Sequence, residues 1–450
     1  MSTNPLENLR GKPVSRRTVL RAGTLAAAGM LLGRRLGFGA EATAPAAPPK
    51  AKAVIQIWMW GGPSHLDTFD PKPDMGNDYC GPFNKPIKTS ADGMVICELL
   101  PELAKQAGKY SLIRGMTHEY TAHETASYMV QTSHLSGERR VYPSIGAVTS
   151  LFEGYDAGYR GLVPPYIVLT ESPGRFSESG FLGPRYAPFV TGGDPARQPF
   201  AVQGIVAEGI PAARQQQRRE LLHDLDSLDH AMGADPHIGE FNAGERDAYD
   251  MILGKGAEIF DLAKEDNGTR DWYGRTTFGQ SCLAARRLIE NGVRFVTINN
   301  NGWDTHKQNF QVLRRKLPEF DKGVSALLQD LASRGLLDST IVWCGGEFGR
   351  TPKIMWEEPW NGGRGHWCKA FSMLLAGGGF RGGQVVGVTD AKGEEVKERP
   401  VSPADLLGSM YQLLGIDPAA PFPRQGDDSV RITEASSEAG KSGGLLKEIM

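Results

Sequence analysis

The sequence lacks the cysteine pattern of a disulfide-stabilised protein. Its 450 residues include five cysteines, and no two of them form a Cys-x-x-Cys pair. An odd number without such pairs argues against a disulfide framework, and the one bridge left open is Cys80–Cys97. With 40% hydrophobic residues, the chain is long enough to bury a large core, as one domain or as one domain with an insertion.

The sequence also lacks an excess of charge, a long apolar run and an internal repeat. It has 50 basic and 52 acidic residues, a balance that gives no indication of nucleic-acid binding or of a disordered acidic tail. No stretch reaches the roughly 18 apolar residues that a membrane-spanning helix needs. The charge balance therefore favours a small molecule or another protein as the partner.

The N-terminus has the layout of a twin-arginine export signal. Residues 15–23 read SRRTVLRAG, and a short apolar run and an Ala-Glu-Ala cleavage motif at 40–42 follow. We therefore predict a signal and linker over 1–47, recognition by the twin-arginine export machinery, and a periplasmic or cell-surface location. The alternative is a basic amphipathic leader without a role in export.

The rest of the chain alternates short apolar strands with longer helical segments. This alternation predicts a doubly wound α/β fold with a mostly parallel sheet. We expect one domain over 48–435, a polar helical insertion or cap over 196–275, and a C-terminal tail over 436–450. The predicted strands are 53–60, 109–116, 164–170, 293–300, 339–346 and 370–378, and the main predicted helices are 122–135, 142–152, 276–292, about 305–334 and 402–415.

Histidines, carboxylates and arginines cluster next to these strands. In chain order they are His65 and Asp67, His123 and Glu124, Asp304 and His306, Glu347 and Arg350, and, before the last strand, Arg364 and His366. Ligands bind beyond the carboxyl ends of the strands in open α/β sheets, so we expect these loops to converge. Imidazole and carboxylate together suit zinc, manganese or iron, and the clusters therefore predict a metal site.

Two other interpretations of these residues stay open. A set of loop side chains can simply form a network of hydrogen bonds without a metal. Thr121 and Glu124 have the spacing of a capping box, so Glu124 can be explained as a cap at the start of the helix 122–135.

Several motifs resemble a known family. The motifs are GGPSHLDTFDPKP, FGQSCLAARRLIENGVRFV, GWDTHKQN, GEFGRTP, and GRGHW with LLAGGGFRGGQVVGVTD downstream. On these motifs the chain is identified as a member of the family named domain of unknown function 1501, which is grouped with alkaline-phosphatase-like proteins such as sulfatases. The resemblance implies export, a central mostly parallel sheet sandwiched by helices, and a two-metal site at the carboxyl edge of the sheet.

The resemblance also implies which residues are ligands. It implies that Asp67 or its neighbour His65, together with Asp304, His306, Glu347 and His366, would hold one or two metal ions. His65 and His123 are expected nearby, and we include both in the predicted metal set. Two positions depart from the superfamily pattern, because Phe348 stands where a histidine is usual and Gly365 precedes His366 in place of an aspartate. Zinc is the first expectation for the cofactor, with manganese, calcium and magnesium as alternatives.

The nucleophile is the least defined part of the resemblance. The sequence has no sulfatase-type Cys-x-Pro-x-Arg motif. Thr117, Thr121, Thr125 and Ser127 are candidates, of which we select Thr121 and Thr125, and direct attack by a metal-activated hydroxide is the alternative. Arg350 or Arg364 is expected to clamp the oxyanion. The predicted function is an exported metal-dependent hydrolase of a phosphate or sulfate ester, carried by a small molecule or a glycan. The alternative is a catalytically degenerate binding or scaffold protein of the cell envelope that keeps the same fold.

Overall fold

The computed structural model describes residues 49–137, 140–172, 177–203, 213–214, 217, 255–423, 430–433 and 442–450. The predicted leader and most of the predicted insertion lie outside these residues. Among the described helices, none combines the length and the hydrophobicity that crossing a bilayer requires. The five cysteines are buried and free, so the Cys80–Cys97 bridge is not formed.

An eight-stranded sheet forms the centre of the fold, and the predicted α/β class with a mostly parallel sheet is confirmed. The spatial order is β8–β2–β7–β6–β1–β5–β3–β4, and β7 alone runs antiparallel to its neighbours. The strands are β1 Ala53–Trp58, β2 Tyr110–Met116, β3 Tyr166–Leu169, β4 Phe189–Val190, β5 Phe295–Asn299, β6 Thr340–Gly345, β7 Phe371–Ala376 and β8 Val385–Val386.

Helices cover both faces of this sheet. They are α1 Asn77–Cys80, α2 Pro101–Lys105, α3 His123–Thr132, α4 Ile145–Glu153, α5 Lys255–Phe260, α6 Asn267–Tyr273, α7 Thr277–Glu290, α8 Asn309–Ser333 and α9 Pro403–Leu413. Apolar side chains of α7 and α8 pack in the core on one face, and those of α3, α4 and α9 pack in the core on the other.

The central strand shows why the sheet is covered on both sides. In β1, Ile55 and Ile57 contribute to one core, whereas Val54 and Trp58 contribute to the other. Successive side chains of a strand point to opposite faces, so a strand with apolar residues on both faces must be covered on both.

The parts of the predicted insertion and of the predicted C-terminal tail that the structure describes pack against the main domain. Helix α6, from the predicted insertion, contacts α7 and α8. Residues 442–450 lie against α9, where Ser442 Oγ donates to Asp405 at 2.7 Å and Leu446 N donates to Ser409 Oγ at 2.8 Å.

The topology brings five segments to one edge. The loops after β1, β2, β5 and β6 leave the carboxyl ends of parallel strands. Because β7 is reversed, the segment before it arrives at the same edge, and a short antiparallel ladder pairs His366–Trp367 with Gly349–Arg350. Helix α8 begins at Asn309, later than the predicted start near 305, so His306 lies in the loop.

Candidate metal centre

Glycines allow the loops at this edge to touch backbone to backbone. Gly61 has a φ of +109°, and a Cβ there would lie 2.2 Å from Asp304 N. A Cβ on Gly363 would lie 1.7 Å from His306 O. Only glycine tolerates such approaches, and Gly61 also has a φ that other residues avoid. These contacts fix the loop after β5 between the loop after β1 and the segment before β7.

Side chains from three of these segments converge on Asp304. His123 Nε2 lies 3.4 Å from Asp304 Oδ2, and His366 Nε2 lies 3.3 Å from Asp304 Oδ1. The ligand atoms of these three residues lie within 4.8 Å of one another. His306 adds a fourth side chain, with Nε2 3.1 Å from Asp304 Oδ1.

Hydrogen bonds behind the histidines determine which ring nitrogens face Asp304. His123 Nδ1 donates to Glu347 Oε1 at 2.6 Å, and His366 Nδ1 donates to the Thr121 carbonyl at 2.8 Å. With hydrogen assigned to Nδ1 by these acceptors, each neutral ring presents the lone pair of Nε2 to the cluster. A carboxylate or carbonyl behind a histidine is the usual arrangement in metal sites.

The charge of the cluster favours a bound cation. Burial alone would lower the pKa of His123, but hydrogen bonds to Asp304 and Glu347 raise it to about 9. Burial would raise the pKa of Asp304, whereas its contacts with His123, His366 and Arg350 lower that pKa far below the ordinary range. Two imidazole lone pairs and a carboxylate that face one point stabilise a positive charge there. That charge can be a proton or a divalent metal ion.

Aromatic rings hold the imidazoles from the side. Trp60 stacks on His123 with ring centroids 5.4 Å apart. Phe348 lies 5.0 Å from His123 and 4.6 Å from His366, centroid to centroid. Phe348, noted in the sequence as a departure from the superfamily pattern, therefore packs against two histidines of the cluster.

Glu347 lies behind the cluster. Its side chain is fully buried, and Oε1 accepts hydrogen bonds from His123 and from Gly61 N, the latter at 3.0 Å. His118, which follows the same strand as His123 in the sequence but was not assigned to the metal, donates from Nε2 to the Glu347 carbonyl at 2.6 Å and accepts from Tyr120 N at Nδ1. The position of His118 directly after β2 was the available sequence signal.

Asp67 and Arg364 pair with each other away from the cluster. Arg364 donates from Nη2 to Asp67 Oδ1 at 2.9 Å and from Nε to Oδ2 at 2.7 Å, and both residues are buried. Asn309 Nδ2 also donates to Asp67 Oδ2, and Thr305 Oγ1 donates to Asn309 Oδ1. The pair thus supports Thr305, the residue between the clustered Asp304 and His306.

Arg350 and His65 are also engaged by protein groups. Arg350 donates to Asp304 and to the carbonyls of Gly61, Gly62 and Arg364. Its guanidinium is fully buried, so in this arrangement Arg350 and Arg364 hold loops and present no donor to a ligand. His65 is buried elsewhere, where Nε2 donates to the Gly393 carbonyl at 2.8 Å.

The capping box that the spacing of Thr121 and Glu124 allowed is not formed at the start of α3, so this interpretation of Glu124 is wrong. The helix begins at His123, its N-cap is Ala122, and no side chain caps it. The Thr121 carbonyl is directed to His366, and this position of the backbone explains the difference. Thr121 is exposed and Thr125 is half-buried on the first turn, so both candidate nucleophiles lie on the segment that carries His123.

The fold and the cluster together define an α/β protein with a candidate metal centre at the carboxyl edge of its sheet. The model of the family described as "Protein of unknown function (DUF1501)" matches residues 51–441. The chain therefore belongs to this family, as its motifs predicted. No curated protein matches the chain.

Several solved structures are similar to this one at low identity. The lipoteichoic acid synthase LtaP from Listeria monocytogenes is 10% identical, with 91% of this chain and 80% of that chain covered and a TM-score of 0.37. The PsFucS1 sulfatase from Pseudoalteromonas sp. is 11% identical, with 94% and 77% covered and a TM-score of 0.38. A protein in the alkaline phosphatase superfamily from Vibrio parahaemolyticus is 9% identical, with 88% and 76% covered and a TM-score of 0.37.

The substitution Glu347→Gln tests the role of the carboxylate behind His123. The amide still accepts from Gly61 N but loses its charge, so we expect metal affinity to fall by about 10–100-fold while the fold is kept. Calorimetric zinc titration measures the change, and Glu357→Gln, on an exposed loop, is the matched control. Equal affinities in the two variants would contradict the positioning role of Glu347.

Proposed function

We propose that this chain is an exported metal-dependent hydrolase of a phosphate or sulfate ester, carried by a small molecule or a glycan. The observation that carries the proposal is the convergence of His123, Asp304 and His366, whose ligand atoms lie within 4.8 Å of one another at the carboxyl edge of the sheet. The reaction consumes one water, breaks the P–O or S–O bond to the alcohol, and releases the alcohol and the phosphate or sulfate.

Each residue of the cluster has a distinct part in this proposal. His123, Asp304 and His366 would hold the metal, which when bound supplies a Lewis acid that polarises the ester oxygen. Glu347 and the Thr121 carbonyl orient the two imidazoles. Arg350 fixes one oxygen of Asp304, so the carboxylate is positioned before any ligand arrives.

The proposed attacking group is a threonine hydroxyl that lies just before α3 or in its first turn. Thr121 and Thr125 flank His123 in sequence, and one of these hydroxyls would attack the ester phosphorus or sulfur. The threonine proton would pass to a base and from that base to the oxygen of the departing alcohol. Water would then release the phosphate or sulfate from the threonine.

Export rests on the N-terminal sequence. The adjacent arginines at 16–17 and the short apolar run after them support recognition by the twin-arginine machinery. A chain that crosses the membrane already folded would carry its metal with it to the periplasm or cell surface.

The hydrolase proposal is tested on purified full-length protein. We expect bound zinc or a similar ion and turnover of an aryl phosphate or an aryl sulfate. Chelation should remove the turnover and added metal should restore it, because the metal is required to polarise the ester. Protein that contains no metal as purified and takes up none would overturn the proposal.

A second candidate is a catalytically silent binding or scaffold protein of the cell envelope. One observation favours it: Arg350 and Arg364 are buried and bound to protein groups, so neither offers a donor to an ester oxyanion. Metal binding without turnover of either ester, together with recovery of a bound envelope glycan or protein, would favour this candidate over the hydrolase.

A further inference from the structure

We infer that the cluster is a one-ion centre with four protein ligands, in which His306 joins His123, Asp304 and His366. The inference deepens the proposed function, because it rests on the proposed metal dependence. It departs from the two-metal site that the family resemblance implies. It also restricts the metals, since three of the four ligand atoms would be imidazole nitrogens.

His306 is directed at the same point as the other ligands. Its Nε2 lies 2.9 Å from His366 Nε2 and 3.1 Å from Asp304 Oδ1. Two imidazole nitrogens this close need either a shared proton or a shared cation between them. His366 Nε2 carries the lone pair, because its Nδ1 donates to the Thr121 carbonyl. A cation next to Asp304 would therefore contact both rings once His306 presents its own lone pair.

A second ion would lack ligands. Asp67, the acidic residue after β1, has both oxygens bound by the Arg364 guanidinium, and Asn309 donates to one of them. The positive charge of Arg364 occupies the position next to Asp67 that a cation would need. Outside the four proposed ligands, the described part of the chain holds no group of three candidate ligands within reach of a common ion.

The ligand set is poor for calcium and magnesium. Both ions prefer six or more oxygen ligands or waters, whereas imidazole nitrogens suit zinc, cobalt, iron and nickel. The open side of the ion would face solvent, because Asp304 and His306 are the most exposed of the four side chains, at 41% and 37%. A substrate oxygen could approach the ion from that side as an added ligand.

The test uses the full-length chain stripped of metal with a chelator. Titration with Co²⁺, followed by visible absorption and by metal analysis, should reach one ion per chain. Zinc should displace the cobalt, and millimolar Ca²⁺ or Mg²⁺ should not. His306→Ala should weaken cobalt binding by about 100-fold and change the absorption band. His134→Phe is the control, because His134 stacks on Tyr142 outside the cluster and phenylalanine keeps the stack.

The possible results separate this inference from the proposed function. Saturation at two ions per chain, or displacement by Ca²⁺, would overturn it, and neither result depends on a variant that must fold. Equal binding by the His306→Ala and His134→Phe proteins would remove His306 from the ligand set. One ion per chain without turnover of any ester would support the one-ion centre and count against the hydrolase.

Discussion

Replacing Asp304 with asparagine is expected to weaken zinc binding by more than about 100-fold. Loss of a residue that only hydrogen-bonds to a ligand costs up to about 100-fold, and loss of a ligand itself should cost more. Asp304 is the only carboxylate in the candidate metal-binding group found among the described residues. Its neutral amide would no longer balance the charge of the ion. The same change leaves the buried guanidinium of Arg350 without its anionic partner.

The Asp304→Asn experiment measures zinc affinity and thermal unfolding together. Asp338→Asn, at an exposed position before β6, is the matched control and should behave as the unaltered protein. Loss of Arg350's partner also lowers stability, so affinity is compared at a temperature where both variants remain folded. If folded Asp304→Asn protein binds zinc as tightly as the control, Asp304 is not a ligand.

Replacing Arg364 with methionine is expected to lower the free energy of unfolding by about 3–5 kcal/mol, the usual cost of removing one partner of a buried ion pair. Asp67 would be left buried with its charge unpaired. The support that runs through Asn309 to Thr305 would also be disturbed. Chemical denaturation of the two proteins measures the difference.

The matched control is Arg275→Met, which removes an exposed ion pair to Asp271 and should leave the free energy of unfolding nearly unchanged. The double variant Asp67→Leu with Arg364→Met should recover part of the loss, because no buried charge is then left alone. If Arg364→Met is as stable as its control but loses metal, Arg364 acts at the metal centre and not in the core.

The sequence predicted the sheet and the location of the cluster for the same reason. Apolar segments such as 53–60 and 339–346 are long enough to be buried strands, and polar residues directly after parallel strands must meet at one edge. His366 was included although it precedes its strand, and the reversal of β7 explains how it arrives. The two-residue strands β4 and β8 were not predicted, because so short an element carries no periodicity.

The partners within the site could not be predicted from local patterns. The ion pair of Asp67 with Arg364 joins residues 297 positions apart, and nothing in either motif indicates the other. Glu347 resembles any other ligand in sequence, and only the folded loops show that it contacts the rear nitrogen of His123. The spacing of Thr121 and Glu124 favoured a cap, but the Thr121 carbonyl is used by His366 instead.

The clustered side chains come from segments that lie far apart in the sequence, from the start of α3 at His123 to His366 before β7. A fragment of the chain that ends before His366, or begins after α3, would keep some of these groups but never the complete set. Retention of a bound ion is therefore expected to report whether the segments from His123 to His366 have folded together. Proteolytic clipping that separates two pieces should release it at the moment they part.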